Sequence, residues 1–237
     1  MTTLVLLPGL DGTGTLFGPL VEALAGKLRV TVLSYPVDRA LGYDALEAIA
    51  DAGLPPQGPL VLLGESFSGP LAVSIAARHP DRVVGLVLCC SFVRNPRPLL
   101  GFLRALLPFV PFGQVPLALM AAVLFGRFDT PSLRAGLARA LAPVPAAVLR
   151  ARLRSVIDVD ATARLDRVTC PVLYLQAGED LLVPASASRS LVRRHPSVEV
   201  LRLRGPHALL QAMPEACAKV IAVFVGDAEA ASAIART

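Results

Sequence analysis

The sequence predicts an α/β domain, with a mostly parallel sheet of about six strands flanked by helices and a helical lid insertion. Two observations support this prediction. Short runs rich in leucine and valine alternate with segments of helical pattern, which is typical of a parallel sheet covered by helices. The chain has 237 residues, of which 54% are hydrophobic, enough for one domain with a sizeable core.

The predicted strands are continuous apolar runs, the pattern of strands that are buried on both faces. They cover residues 3–7, 30–33, 60–63, 83–89, 172–176 and 198–203.

The predicted helices follow these strands. Two of them end at a His-Pro pair, His79-Pro80 and His195-Pro196, because proline cannot continue a helix and restricts the residue before it. We expect the alanine-rich tail after Gly226 to be unstructured. The helices cover residues 16–26, 43–52, 69–78, 186–194 and 214–225.

The alternation stops between residues 94 and 163, which hold eight of the 21 prolines. Their apolar spacing predicts several short helices, at 99–107, 115–124, 132–141 and 146–155. We therefore divide the chain into an α/β core of residues 1–93 and 164–237 and a helical lid subdomain of residues 94–163 inserted in it.

Charge and composition restrict the partners. The net charge is +5, but the arginines are scattered or at helical spacing and are not interleaved with aromatics, so we expect no nucleic acid. Residues 105–126 carry no charge, yet Pro108, Pro111 and Pro116 would break a spanning helix. We expect no stable membrane insertion, and interfacial contact with a membrane stays open.

The first strand run begins almost at the N-terminus, without a basic segment or a cleavage site, so we expect a cytoplasmic protein. The four cysteines contain no C-x-x-C pair, and we expect them to be buried as small apolar residues. No metal site and no cofactor is predicted.

A candidate nucleophile lies between the third strand and its helix, in Gly64-Glu65-Ser66-Phe67-Ser68-Gly69. A serine on a tight strand-to-helix turn has an exposed hydroxyl, and G-x-S-x-G is the usual pattern. Ser66 is therefore the predicted nucleophile. Ser68 stands at the second glycine position; it is small enough to be tolerated, but we expect slightly looser packing of helix on strand there.

Serine needs a base and an acid that orients it. His207 follows the last strand, at the carboxyl edge of the sheet, where α/β sheets place their sites. Asp180 follows the fifth strand at the same edge, and we expect the adjacent Glu179 to point elsewhere. We interpret the other two histidines, His79 and His195, as residues at the C-terminal ends of helices and not as the base. The aspartates near the end of the insertion are competing acids, interpreted instead as caps and turns: Asp158, Asp160 and Asp166.

Acyl transfer also needs N–H donors for the developing oxyanion. The residue after the nucleophile supplies one, the backbone N–H of Phe67, and the glycine-rich loop from Pro8 to Gly14 supplies the second, with Leu10 as the candidate. Nucleotide binding by the same loop is not predicted, because its spacing is G-x-x-G-x-G and no G-K-[ST] follows.

Taken together, LLPGLDGTG, LLGESFSGP, QAGEDLLVP and RGPHALLQ resemble the oxyanion loop, nucleophile elbow, acid loop and histidine loop of the α/β-hydrolase superfamily, over nearly the whole chain. The resemblance is to a compact form without the first two strands of larger members. Two departures are Pro8, where many members have histidine, and Ser68. The family implies ester hydrolysis as the commonest activity, and Ser66 speaks against its aspartate-based dehalogenase and epoxide hydrolase branches.

These observations predict a serine carboxylic-ester hydrolase for small to medium apolar esters, with an acyl-enzyme intermediate. Aromatic residues of the insertion are candidates for an apolar substrate pocket, although they would also pack the lid on the core: Phe102, Phe109, Phe112 and Phe125. Two alternatives stay open. One is acyl transfer to a lipophilic alcohol or a thioester partner, since PGLDGTG and GESFSG resemble loops of some plastid acyltransferases of the superfamily. The other is a weakly catalytic ligand-binding homologue.

Overall fold

The fold is built on a six-stranded sheet. The computed structural model of the protein describes residues 1–105 and 112–234. Neighbouring strands all run parallel, in the order β2-β1-β3-β4-β5-β6, which confirms the predicted parallel sheet. The strands are β1 (Thr3–Leu7), β2 (Arg29–Val32), β3 (Leu60–Glu65), β4 (Val83–Cys89), β5 (Val172–Glu179) and β6 (Val198–Pro206).

Burial explains why most strands are continuous apolar runs in the sequence. β1, β3 and β4 are buried along their whole length, whereas β2, on the edge, is partly exposed. Several strands continue past the apolar run that predicted them: β3 reaches Glu65, β5 reaches Glu179 and β6 reaches Pro206. Glu179 pairs with Pro206, so pairing with the neighbouring strand extends both ends towards one edge.

Helices cover both faces of the sheet and complete two separate cores. On one face, α2, α3, α7 and α8 pack onto the sheet, and on the other α1, α9 and α10 do so. The helices are α1 (Gly18–Leu24), α2 (Tyr43–Ala52), α3 (Gly69–Arg78), α4 (Leu117–Phe125), α5 (Pro131–Leu141), α6 (Ala146–Asp158), α7 (Thr162–Leu165), α8 (Ser186–Arg194), α9 (Leu209–Ala212) and α10 (Pro214–Ile234).

The last helix is longer than predicted. We expected it to end near residue 225 and the tail to be unstructured, but α10 continues to Ile234. Ala228 is buried against the second core, and the remaining alanines have the highest helix propensity of any residue. Gly226 therefore lies within the helix and does not end it.

The insertion leaves and re-enters the sheet at one point between β4 and β5. Arg94 forms an isolated antiparallel bridge with Asp160, and the N–H of Ala161 donates to the carbonyl of Val93 at 2.7 Å. Beyond this neck lie α4, α5 and α6, together with short 3-10 helices at Pro98–Ala105, Phe112–Gln114 and Gly126–Phe128. The helix predicted at 99–107 is thus a 3-10 helix where the structure describes it.

In the part of the chain that the structure describes, no helix combines the length and the hydropathy needed to cross a membrane.

Candidate active site

Three strands each end directly before a residue that the sequence predicts to be catalytic. The residues that follow β3, β5 and β6 are Ser66, Asp180 and His207. Because the strands are parallel and β5 and β6 are neighbours, their carboxyl ends meet at one edge of the sheet. The fold therefore brings together three residues that are up to 141 positions apart in the chain.

The three side chains form one continuous chain of hydrogen bonds. Ser66 Oγ lies 2.8 Å from His207 Nε2, and His207 Nδ1 lies 2.9 Å from both Asp180 Oδ1 and Oδ2. A carboxylate can only accept, so Nδ1 carries the imidazole proton and Nε2 is left to accept from the serine. The side chains of His207 and Asp180 are 6% and 5% exposed, so the bond between them is largely shielded from water.

The acid is held in place by its own loop. The backbone N–H groups of Leu182 and Val183 both donate to Asp180 Oδ1 at 2.8 Å. The adjacent Glu179 points elsewhere, as expected, and binds the Arg127 guanidinium at the protein surface. The orientation of Asp180 thus follows from a local turn and does not depend on its neighbour.

The competing aspartates have other partners. Asp160 accepts from the N–H and the hydroxyl of Thr162, at 2.9 and 2.6 Å, and Asp166 binds Arg194. The contacts of Asp160 are those of the predicted cap or turn, whereas the ion pair of Asp166 was not part of that interpretation. Asp158 is the last residue of α6.

The other two histidines lie where the sequence placed them, directly after helices. His79 follows α3 and its Nε2 lies 2.6 Å from Asp51 Oδ1. His195 follows α8 and its Nε2 lies 3.1 Å from the carbonyl of Val168.

The turn around Ser66 has a strained backbone. Its φ angle is 46°, a left-handed conformation that costs free energy for any residue with a Cβ and is typical of a nucleophile elbow. Ser91 fixes the turn from the end of β4, since its hydroxyl donates to the Ser66 carbonyl at 2.5 Å. Glycine is required on both sides: a Cβ at Gly64 would lie 2.8 Å from a backbone oxygen, and one at Gly69 would overlap Ser91.

Ser68 does not loosen the elbow as we expected. It is fully buried, its hydroxyl donates to the carbonyl of Pro8, and it lies 2.6 Å from the hydroxyl of Tyr35. A carbonyl only accepts, so Tyr35 is the donor to Ser68. The serine at the usual glycine position therefore connects the nucleophile elbow to the glycine-rich loop after β1.

The two predicted oxyanion donors belong to the turn after β1 and to the residue that follows Ser66. Leu10 is in a turn closed by a 3.1 Å hydrogen bond from Gly12 N–H to the Gly9 carbonyl. No backbone-to-backbone hydrogen bond of the described residues uses the Leu10 N–H as donor. Phe67 directly follows Ser66 in a short 3-10 helix, Ser66–Ser68.

Phe67 is immobilised by two tyrosines from outside the elbow. Its ring stacks on that of Tyr43 with centroids 4.7 Å apart, and Tyr35 meets it edge-on at 6.4 Å. The Tyr43 hydroxyl also donates to the Phe67 carbonyl at 2.8 Å. Sequence reasoning missed both tyrosines, because neither lies in a recognisable motif.

A second carboxyl group, which sequence reasoning also missed, is buried beside Ser66 and interacts electrostatically with His207. Glu65 directly precedes the nucleophile, is 7% exposed and accepts from Gln211 Nε2 at 2.9 Å. Burial raises the pKa of Glu65 from its ordinary value to about 7, with Asp11 adding to the rise and Gln211 opposing it. The sequence did contain a signal for this burial, because the apolar residues around Glu65 indicate a buried strand.

The cysteines are unpaired, and three are buried, as expected of small apolar residues: Cys89, Cys90 and Cys217. Cys170 is only half-buried. Burial raises the pKa of Cys170 and of Cys217 to about 12, so neither is a thiolate at neutral pH. No group of three or more metal-ligating side chains occurs within residues 1–105 and 112–234.

The pocket candidates are only partly described. Phe125 is 1% exposed and packs with Ala121, Leu137 and Ala208 in a small core that joins the insertion to the histidine loop. This is the packing role that the sequence also allowed. Phe109 lies outside the described residues, and of Phe102 and Phe112 the structure describes the backbone, in 3-10 helices.

Several proteins of known name are similar to this sequence. The putative carbamate hydrolase RutD of Caulobacter sp. is 26% identical over 250 residues, covering 95% of this chain and 91% of that one. The pimeloyl-[acyl-carrier protein] methyl ester esterase of Aeromonas hydrophila is 31% identical over 248 residues, covering 94% and 95%. The chloroplastic phytyl ester synthase 1 of Arabidopsis thaliana is 30% identical over 217 residues, or 77% of this chain but only 31% of that longer protein.

Solved structures agree with the observed architecture. The enol-lactonase from Burkholderia xenovorans LB400 superposes with a TM-score of 0.80 at 18% identity, covering 95% of this chain and 91% of that one, so the likeness is one of fold. The sequence also matches the model of the Alpha/beta hydrolase family over residues 4–220. The chain is therefore a hydrolase that belongs to the Alpha/beta hydrolase family.

Proposed function

We propose that the protein is a serine carboxylesterase that hydrolyses small to medium apolar esters through an acyl-enzyme. Ser66 is the nucleophile, His207 the general base and acid, and Asp180 the residue that orients the imidazole. The observation that carries the proposal is the 2.8 Å separation of Ser66 Oγ and His207 Nε2, with Asp180 on the other ring nitrogen.

In the acylation step, Ser66 Oγ attacks the ester carbonyl while its proton passes to His207 Nε2. The tetrahedral adduct collapses when the carbon–oxygen bond to the alcohol breaks and His207 returns the proton to that oxygen. Water then repeats the sequence on the acyl-enzyme and releases the carboxylic acid. Asp180 stabilises the imidazolium formed in both steps.

The negative charge on the carbonyl oxygen would be met by the N–H groups of Leu10 and Phe67. These groups belong to the turn after β1 and to the residue after the nucleophile, which supports their pairing around one oxygen. The strained φ of Ser66 supports its assignment as the nucleophile, because this conformation is typical of the tight turn that carries a catalytic serine.

Ester substrates are supported by a relative that is named a methyl ester esterase and is 31% identical to this chain. The helical insertion is proposed as a lid, since it contacts the loops that carry the site. The Ala208 N–H, next to the catalytic histidine, donates to the carbonyl of Leu124 at 3.1 Å, and Arg97 Nε donates to the carbonyl of Leu182 at 2.9 Å.

Labelling with a fluorophosphonate tests the nucleophile. We expect stoichiometric labelling of the wild type, complete loss in Ser66→Ala and full labelling in Ser132→Ala, which removes an exposed serine of α5. Folded wild type that is not labelled would contradict the enzyme assignment and favour a ligand-binding homologue. A rate profile over p-nitrophenyl esters from acetate to decanoate then tests the apolar substrate class, and collapse beyond acetate would oppose it.

Acyl transfer is the second candidate, and the similarity to phytyl ester synthase 1 favours it. A lipophilic alcohol would replace water in the deacylation step, with His207 taking the proton of that alcohol. Product analysis with a long-chain alcohol present separates the two: hydrolysis gives free acid in constant yield, whereas transfer gives the new ester at the expense of the acid.

A further inference from the structure

The side chain of Arg152 is the largest that is fully buried in the described part of the protein. It belongs to α6, in the insertion, yet it reaches out of its own helix to the core domain. Removing a guanidinium from water is costly unless its N–H groups are satisfied, and burial lowers the pKa of Arg152 accordingly, with Asp11 and Tyr35 partly opposing that shift. An arginine in such a position needs a specific set of partners.

Its partners are backbone carbonyls of the loops at the active-site edge. Nη1 donates to the carbonyls of Leu10 and Asp11, at 2.9 and 2.6 Å, and Nη2 donates to that of Pro36 at 2.9 Å. The guanidinium carbon also lies 5.8 Å from the centre of the Tyr35 ring. One side chain of the insertion thus binds two successive peptide groups of the glycine-rich loop.

These bonds act on the Leu10 N–H indirectly, because the bond from Arg152 to the Asp11 carbonyl fixes the peptide of the Gly12 N–H, which in turn donates to the Gly9 carbonyl. A trans peptide is planar, so fixing a carbonyl fixes the N–H on its opposite side. The peptide that carries the Leu10 N–H is fixed by the 3.1 Å hydrogen bond that the Gly12 N–H donates to the Gly9 carbonyl. Arg152 fixes the next two peptides, and the Tyr35 N–H donates to the Gly12 carbonyl at 2.7 Å. Of the hydrogen bonds that hold this loop, the two from Arg152 come from the insertion, and those of Gly12 and Tyr35 come from the core domain.

Gly12 is shaped for this contact. Its φ is 71°, and a Cβ there would lie 2.8 Å from Arg152 Cζ and closer still to Nη1. The loop backbone therefore packs directly against the guanidinium, so a shift of α6 changes the space available to the loop.

We propose that Arg152 is a positioning residue that holds the Leu10 N–H in the oxyanion site and so makes the helical insertion part of the catalytic machinery. The inference rests on the proposed ester hydrolysis. It assigns the insertion a role in transition-state stabilisation, in addition to covering the substrate.

Three variants test it. Arg152→Met keeps an unbranched chain of similar length but removes all donors, and Arg152→Lys keeps the charge with fewer, differently placed donors. Arg154→Met, on an exposed position of the same helix, is the control. Rates are expressed per active site titrated with a fluorophosphonate. We expect Arg152→Met to lower kcat by about 10- to 100-fold while KM changes by less than about threefold, because the oxyanion donor acts mainly in the transition state.

The proposal predicts two further results. The kcat of Arg152→Lys lies between those of wild type and Arg152→Met. A trifluoromethyl ketone forms an adduct that places an oxyanion in the site, and its inhibition constant rises in parallel with the loss of kcat/KM. Unchanged kcat per titrated site and unchanged inhibition in Arg152→Lys or Arg152→Met, whatever their stability, would overturn it. If Arg152→Met does not fold, Arg152→Lys decides the question alone.

Hydrogen exchange gives a measurement that does not need turnover. Amides of residues 9–13 are expected to exchange faster in the Arg152 variants than in Arg154→Met, and equal exchange would contradict the holding role. A wild type that neither turns over esters nor reacts with fluorophosphonate would count against the proposed function, whereas an active wild type with unaffected Arg152 variants would count against this inference only.

Discussion

The hydroxyl oxygens of Ser68 and Tyr35 lie 2.6 Å apart, and Ser68 in turn donates to the carbonyl of Pro8. Ser68 occupies the position where the family pattern usually has glycine. The buried pair connects the helix after the nucleophile to the loop proposed to bind the oxyanion. The serine that departs from the family pattern therefore links two loops of the candidate site.

The coupling between these two hydroxyls can be measured with a double-mutant cycle. Ser68→Ala and Tyr35→Phe are each expected to lower the free energy of unfolding by about 1–2 kcal/mol, since each leaves a buried partner without its bond. The double variant should lose about 1 kcal/mol less than the sum. Urea denaturation gives these values. Ser74→Ala, on α3, combined with Tyr35→Phe is the additive control. Additivity of the Ser68 pair would show that the close contact is not energetically coupled.

Strain at the nucleophile predicts an inverted order of stability at position 66. Because the φ of Ser66 is 46°, glycine adopts its conformation at lower cost than alanine. Ser66→Gly is expected to unfold with a free energy about 1 kcal/mol higher than Ser66→Ala, the reverse of their order within an ordinary helix. Both should be inactive. Thermal or urea unfolding of the two inactive variants provides the comparison, and a more stable alanine variant would rule out strain at this turn.

Replacing the orienting acid by its amide should damage catalysis without removing the loop contacts. In Asp180→Asn the side-chain oxygen can still accept from Leu182 and Val183 at the Oδ1 position, which puts the amide nitrogen at the Oδ2 position, 2.9 Å from His207 Nδ1. A donor there favours the tautomer with the imidazole proton on Nε2, and in that tautomer Nε2 cannot accept the proton of Ser66. We expect kcat to fall by about 10³- to 10⁴-fold with the fold intact.

The control for that experiment is Asp158→Asn, at the end of α6, which should retain activity. Steady-state kinetics on a p-nitrophenyl ester decides between the two carboxylates. An active Asp180→Asn together with an inactive Asp158→Asn would assign the acid to the insertion.

Glu65 makes stability depend on pH. Its pKa is about 7 in the folded protein against an ordinary value of 4.5, so the folded state holds a proton that the unfolded state has lost between these values. Its contribution to the free energy of unfolding is fully present below about pH 4.5 and is lost as the pH rises through about 7. Glu65→Gln should make the urea midpoint less dependent on pH over this range, whereas the exposed control Glu22→Gln should follow wild type. Parallel curves for Glu65→Gln and wild type would refute the assignment.

Much of the site could be predicted because its residues directly follow apolar runs. Ser66, Asp180 and His207 each come after a strand that leucine and valine make recognisable, and the carboxyl ends of parallel strands meet at one edge. The length of α10 was underestimated because Gly226 suggested the end of the helix. A single glycine costs only about 1 kcal/mol of helix stability, and α10 packs on the sheet on both sides of it.

The residues that hold the site in place could not be found in this way. Tyr35, Tyr43 and Ser91 reach the elbow from other parts of the chain, and Ser91 is 25 residues from the carbonyl that it binds. Arg152 lies 142 residues from Leu10 and looked like one of several arginines at helical spacing. Nothing in its local pattern distinguishes it from the exposed Arg154, because only the packing of α6 decides which of them is buried.

The sequence by itself determined the parallel sheet, the order of the residues proposed as nucleophile, acid and base, and the edge where they lie, because apolar periodicity and tight turns are local properties of the chain. Only the tertiary structure decided that Ser68 joins the elbow to the glycine-rich loop, that Glu65 is buried beside the proposed triad and that Arg152 binds that loop from the insertion. These contacts depend on the burial of polar groups among distant partners, and the free energy of burying a polar group is set by the complete fold and not by its neighbours in sequence.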